Sequence, residues 1–581
     1  MSTLENRRFF LMAIFGVLLF FIYQEWKKEH PELPAPSAQL AVPLSDAITP
    51  PAAATAAPQT PAAATAPATS PAEAPTAPAV LVDPAARVTV STDKLKLSLS
   101  LAGADIHRVE LLDYAASKAA PQIKLALLND VDPHFFILQS GLAGSARPYA
   151  SDTTGFATTA SSFELPAGAN SLDVPFTSTD AATGITVTKT YRFTRGSYQI
   201  ELIQTLKNGG TAAIAAASYA RIQRLPPAAG DEPPFSKSFT GVGFYEQSGE
   251  GKYRFKKVAL DKLHKEPIEA TQSSGWLAML QHYFLAAIIA PAGEQATFAA
   301  KPSSVKGYLG QYYGPMRTVV PAQTVSYSTK FYVGPTLNGV LGDVAPGLDL
   351  TEDYGIFSPI AKPLFWLLKF FHKWVGNWGL AIILLTLTVK AGMYKLSEKQ
   401  FRSMAKMKQF APKIAEIKER YADDKEKLNK AMMELYTKQG FNPLAGCWPL
   451  LVQFPVFISL YWVLAQSVEL RQATFGLWLT DLSSPDPFYV LPVLFGISMF
   501  AQQKIQGTAA TMDPMQAKMM QFMPIGLTAF FAFFPAGLVL YWFVSNLITI
   551  AQQWLINKTL EKEGLKEKAP AKIRAAIAAK K

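Results

Sequence analysis

The chain has 581 residues, 49% of them hydrophobic and only 17% charged, with a formal net charge of +11 and a single cysteine, Cys447. One cysteine excludes an intramolecular disulfide and a Cys-based zinc site. The length implies more than one domain. The apolar residues gather in one run near the N-terminus and in several runs after residue 360, which excludes an ordinary soluble globule and suggests a membrane protein with a large soluble insert.

Residues 9–23, "FFLMAIFGVLLFFIY", are continuously apolar and follow Arg7 and Arg8. The run is short for a span and fits a signal-peptide core as well. No small-x-small cleavage site follows directly; the next residues are "QEWKKEH". The expectation is an uncleaved anchor over 1–26, with Trp26 at the far interface. Residues 27–84 then collapse to Pro, Ala, Thr and Ser, as in "PPAAATAAPQTPAAATAPATSPAEAPTAPA". Such a segment cannot bury enough surface to offset its ordering entropy and reads as a semi-rigid linker.

Residues 85–345 carry a different pattern. "KLKLSLSL" (94–101) alternates strictly, with Leu95, Leu97, Leu99 and Leu101 on one face. "GITVTKTYRF", "TRGS" and "YQIELIQTL" read as a β-hairpin around Gly196, and "TVSYSTKFYVG" (324–334) alternates again. Period-2 patterning punctuated by Gly, Pro and Asn predicts a mostly antiparallel β-sandwich. Short helical stretches are expected within it, for example around 275–289.

The last third is membrane-like. Residues 354–373 are aromatic and basic, with Pro363 inside, and suit a helix lying in the membrane interface. Five apolar segments follow, at 374–394, 448–466, 488–503, 519–534 and 536–556, several near the lower limit for crossing a hydrocarbon core of ~30 Å. Short spans thin the local bilayer. The loop 395–440 holds twelve Lys/Arg against seven Asp/Glu, and the tail 557–581 eight against three. The loop 467–487 holds only Arg471, against Glu469, Asp481 and Asp486. Positive charge marks the cytoplasmic side. Six spans, the anchor included, then put both termini in the cytoplasm and the β domain outside.

Catalytic signatures are missing: no GxxxxGK[ST], HExxH or GxSxG occurs, and all six histidines lie outside the five later spans. No carboxylate falls within those spans, which counts against a proton- or sodium-coupled transporter. Lys390, in "IILLTLTVKAGMY" (382–394), is the only charged residue inside one. At its depth a lysine can snorkel to the headgroups. Against that, Thr386 lies one turn deeper on the same face, Gln453, Gln503 and Gln552 stand in neighbouring spans, and Lys395 already serves the helix end. A polar cavity open to the cytoplasm is the better reading. Residues 395–440 read as a helical hairpin broken by Pro412 and "YADD" and ended by Gly440. Its methionines Met404, Met407, Met432 and Met433 suit a surface for many different apolar partners, though methionine is also ordinary packing. The basic tail fits a solvated end, anionic lipid or ribosomal RNA equally.

The stretches "MAKMKQFAPKI", "NPLAGCWPLLVQFPVFISLYWVL", "SVELRQATFGLWLTDLSSPDPFYVLPVL", "DPMQAKMMQFMP" and "FPAGLVLYWFVSNLITIAQQWLI" cover nearly all of 374–556. In them the chain resembles the YidC/Oxa/Alb family of membrane insertases, in its long Gram-negative form. The resemblance implies a non-enzymatic inner-membrane insertase and chaperone without cofactor or metal. It implies a six-span α-helical protein: an N-terminal anchor plus a five-helix core around a hydrophilic groove, a periplasmic β-supersandwich and a cytoplasmic hairpin. Partners would be nascent membrane proteins, the ribosome, the Sec translocon with its accessory subunits, and the lipid bilayer, but not DNA. Lys390, with Thr386, matches a family T-x-x-x-R pattern in which most relatives carry arginine. Gln503 and Trp542 match other groove-lining positions, with Tyr541 adjacent. A lysine is a compact point charge without arginine's planar fork, so bidentate contact is not available here. The alternative class is a transporter or channel with a periplasmic sensory domain.

Overall fold

The computed structural model describes residues 86–228, 239–249, 252–409, 411–421, 424–438, 448–506 and 514–562. The expected anchor (1–26), the linker (27–84), Gly440 and most of the basic tail lie outside the described residues.

The alternating stretches form strands. In Leu95–Ser100 the leucines at 95, 97 and 99 are buried, and Leu101 continues the row. Ile185–Thr194 and Gln199–Asn208 pair antiparallel across a turn in which Gly196 adopts φ +76°, a left-handed conformation that glycine takes without a Cβ clash. The domain has one sheet of eleven strands and one of eight. Pairing is antiparallel except where Thr89–Ser91 runs parallel to Ser162–Glu164. Side chains from both sheets close one core that includes Leu97, Val174, Phe176, Phe193, Phe298 and Phe331.

Residues 275–289 depart from the sequence expectation. They form two strands, Trp276–Gln281 and Phe284–Ile289, paired antiparallel. Both are buried almost throughout, so apolar residues occupy both faces and the period-2 signal vanishes. A short continuous apolar run then looks helical.

The core of this sandwich also encloses a charge. Lys189 Nζ is fully buried and donates to the Ser140 carbonyl at 2.8 Å and the Ser140 hydroxyl at 3.0 Å, with Asp105 Oδ1 at 3.5 Å. Burial pushes the Asp105 carboxyl up to about 6, against the pull of the Lys189 charge. The Tyr191 hydroxyl donates to the Ala104 carbonyl at 2.7 Å beside them.

The helical part begins with α1 (Ser358–Val375), where the interfacial helix was expected. Gly376, at φ +65°, ends it by donating its N–H to the His372 carbonyl. Trp366, Phe370 and Trp374 recur every four residues and form one exposed aromatic face. Asn377 caps α2 (Trp378–Gly392) by accepting the Leu380 N–H at 3.1 Å. The polar connection consists of α3 (Tyr394–Gln409), α4 (Ala411–Arg420) and α5 (Lys425–Lys438). Asp424 starts α5 by accepting the N–H groups of Glu426 and Lys427. The apolar helices α6 (Trp448–Gln466), α7 (Val490–Gln506), α8 (Pro514–Phe531) and α9 (Ala536–Lys562) complete it. Helices α1, α2 and α6 to α9 share a second hydrophobic core through residues such as Phe365, Leu385, Leu460, Phe495, Phe531 and Val539.

By length and composition, Ala536–Thr559 is apolar enough to cross a membrane. Trp378–Gly392 and Tyr394–Ser403, bent by 61°, pass the same test together. The helices α6, α7 and α8 have only 19, 17 and 18 residues.

Candidate functional site: a polar seam among the membrane helices

Lys390 lies in the last turn of α2, where an ammonium in an otherwise apolar helix must find partners or reach water. It turns inward, with only 7% of the residue exposed. Its Nζ donates to the Thr549 hydroxyl of α9 at 3.1 Å. Among the described residues no carboxylate pairs with it. Its own carbonyl accepts from Gln552 Nε2 of α9 at 3.4 Å.

The partner helix explains why the ammonium is tolerated. On α9, Ser545, Asn546, Thr549, Gln552 and Gln553 fall at i, i+1, i+4, i+7 and i+8, which is one helix face. The Thr549 hydroxyl satisfies itself by donating to the Ser545 carbonyl at 2.7 Å, leaving an oxygen lone pair for Lys390. Asn546 Nδ2 donates to the Ser498 hydroxyl of α7 at 3.3 Å. Gln552 Oε1 and Gln553 Oε1 are buried and, among the described residues, lack a hydrogen-bond donor. The result is a polar seam between α2, α7 and α9. Of these five α9 residues, only Gln552 was singled out from sequence. The others were findable, because their spacing repeats the helical period through an apolar segment.

The remaining sequence-derived residues divide. Gln503, half-buried on α7, donates from Nε2 to the Met520 carbonyl of α8 at 2.8 Å and ties those helices together. Trp542 sits on the seam face of α9 but packs into an aromatic cluster, stacked on Phe457 at 4.9 Å and in contact with Phe495, Phe531 and Phe534. Thr386 is fully buried, and its hydroxyl donates to the Ile382 carbonyl at 2.7 Å. Tyr541 is likewise buried in the helix core, with Gln453 bonded to its hydroxyl. Met432 is half-buried and Met433 exposed on α5, away from the seam residues in sequence, while the side chains of Met404 and Met407 lie outside the described residues.

The β domain meets the helices near the end of α6. Arg471 donates to the Ala115 carbonyl at 2.9 Å and the Ala116 carbonyl at 3.3 Å, and its guanidinium lies 5.7 Å from the Phe284 ring. His282 Nε2 donates to the Ala465 carbonyl at 3.0 Å.

A large β domain on a bundle of apolar helices with a polar seam among them defines a membrane protein with a large soluble domain. Two families match: "60Kd inner membrane protein" over residues 370–563 and "YidC periplasmic domain" over 87–367. The membrane protein insertase YidC of Methylococcus capsulatus is 41% identical over 560 residues, covering 96% of this chain and 99% of its own length. That of Nitrosococcus oceani is also 41% identical, covering 97% of this chain and all of its own. A solved active YidC insertase covers 81% of this chain and 93% of its own at 15% identity, with a TM-score of 0.35. This chain belongs to the YidC family of membrane protein insertases. It is an inner-membrane insertase with a periplasmic domain, and nascent membrane proteins are its substrates.

Proposed function

We propose that the seam is the place where a client's polar segment is received, and that Lys390 is its charged centre. The observation that carries this reading is a surplus of unused hydrogen-bonding capacity. An ammonium has three donors, and one is engaged by Thr549. Two buried amide oxygens, on Gln552 and Gln553, wait for donors. Unsatisfied groups in hydrocarbon cost several kcal/mol each, so a passing polar chain that completes them is stabilised in return. Gln503 and Trp542 flank the receiving region, and Thr386 and Tyr541 hold its wall. The client's apolar helix then leaves sideways into lipid. That burial is itself downhill, so no nucleotide is required.

The proposed topology has six spans: an anchor in 1–26 and five helices within 374–556, with both termini in the cytoplasm. Residues 27–84 tether the periplasmic domain (85–345), 354–373 lie in the interface, and the hairpin 395–440 and tail 557–581 face the cytoplasm. The charge bias of the loops supports this orientation. Met404, Met407, Met432 and Met433 on the hairpin offer soft surface to clients emerging from the ribosome. The Sec translocon and its accessory subunits are the proposed partners for larger clients. Site-specific photocrosslinking from positions 390 and 542 to a ribosome-stalled single-span client tests the reading. Crosslinks from both positions are expected, and none from either would overturn it.

A further inference from the structure

The periplasmic domain and the outer ends of the helices enclose a cavity of about 380 Å³. Phe255, Tyr283, Tyr354 and Trp462 wall it, and two carboxylates, Glu352 and Glu469, also line it. They come from different elements. Glu352 belongs to the segment leading from the β domain into α1, and Glu469 to the short turn Val468–Leu470 after α6. Each has one buried oxygen, Glu352 Oε1 and Glu469 Oε2, without a hydrogen-bond donor among the described residues.

The surrounding charges do not balance the pair. Lys369 of α1 stands 4.0 Å from Glu469. Lys362 is 3.7 Å from Asp349, and Lys257 of the β domain is paired with Asp353. Arg471 is turned toward Ala115 and Ala116. Tyr354 and His282 face the cavity as neutral groups, since burial raises the first and lowers the second. Three carboxylates, Glu352, Glu469 and Asp349, therefore share two ammoniums, Lys362 and Lys369, in a partly dry joint.

We propose that this joint is pH-responsive: Glu352 docks protonated, and its ionisation beside Glu469 loosens the periplasmic domain from α1 and α6. Burial, reinforced by the Glu469 charge, pushes the Glu352 carboxyl up to about 8. Burial also raises Glu469, opposed by its own backbone N–H, the Lys369 charge and the Asn338 N–H. Undocked, a glutamate titrates near 4.3, a value of about the ordinary range. Docking thus takes up a proton between that value and about 8. The raised carboxyl supports docking fully below the window, and the support is lost as pH rises through it.

Amide exchange on the full chain in liposomes reads the joint. Protection of residues 336–340 and 466–472 is measured at pH 6 and pH 9, corrected for the intrinsic rate. The native chain is expected to lose protection there by roughly tenfold or more at pH 9. Glu352→Gln, neutral at both values, holds its protection, and Glu469→Gln, which removes the repelling charge, loses less than the native chain. Protection of the hairpin 185–208 stays constant and separates joint opening from unfolding. Equal protection at both pH values in the native chain overturns the proposal. So does an equal loss in Glu352→Gln, or a parallel loss in the hairpin.

Discussion

Lys390→Met separates the charge in the seam from its bulk. The substitution keeps a long, flexible apolar stem and removes the charge and its three donors. Folding is expected to survive it. No described carboxylate is left unpaired, and the Thr549 hydroxyl keeps its bond to Ser545. Replacing a buried charge by an apolar residue of similar size is often neutral or stabilising. Insertion is another matter. A client carboxylate about 4 Å from the ammonium gains roughly 4 kcal/mol at an effective dielectric of about 20. Desolvation offsets part of that, leaving the net worth of a charge-assisted hydrogen bond, about 1.5–3 kcal/mol. The corresponding loss is roughly 10- to 150-fold in the rate of transfer. The assay is protease protection of a single-span client inserted into proteoliposomes, with one Asp or one Asn in its translocated tail. The Asp client should slow in Lys390→Met while the Asn client does not, and Lys390→Arg should transport both. An Asp client inserted by Lys390→Met at the native rate, at equal protein level, refutes the reasoning.

Lys189→Met strands the Asp105 carboxyl inside the sandwich and should destabilise the periplasmic domain by about 3–5 kcal/mol in denaturant titration of the full chain, while Lys189→Met with Asp105→Leu should recover most of it. Arg471→Met removes two donors to the Ala115 and Ala116 carbonyls and the cation above Phe284, so the 115–118 turn should become a protease-sensitive site without change in the melting of the β domain. Trp542→Ala opens a void among Phe457, Phe495, Phe531 and Phe534 and should cost about 3–5 kcal/mol, read as a lower melting temperature of the helical signal.

The parts legible in the sequence are those in which one physical rule acts alone. Strand 95–100 has one wet and one dry face, so its alternation is intact. The turn at Gly196 needs φ above zero, and glycine announces it. Trp276–Gln281 and Phe284–Ile289 are dry on both faces, so the same rule gave a helix there. Lys189 falls in the inward row of its strand, between Val187 and Tyr191, so alternation places it inside but does not say what it meets. Its partner Asp105 is 84 positions away, and no local pattern links them. Lys390 was legible because a charge inside an apolar run is conspicuous. Its partner Thr549 was not, because a threonine in a membrane helix can satisfy itself on its own backbone. Thr386 does that, which is why spacing placed it on the polar face while packing placed it inside.

The distribution of polarity along α9 bears on how far a client must travel through hydrocarbon. Trp542 and its aromatic neighbours occupy one end of the seam face, and Ser545 to Gln553 occupy the rest. By helix rise the polar stretch is roughly 12 Å long. On the proposed orientation it begins at the cytoplasmic side, and the apolar path left to cross shrinks from ~30 Å to roughly 18 Å, before any thinning of lipid around short helices. The aromatic cluster then has a separate task, sealing the outer end where a continuous polar path would leak ions. A seam of this kind needs donors and acceptors in excess but no fixed counter-ion. A resident carboxylate beside Lys390 would occupy the ammonium that the client's own carboxylate must find. The absence of acidic residues from the apolar segments between 374 and 556, beside one buried lysine, is what that requirement predicts.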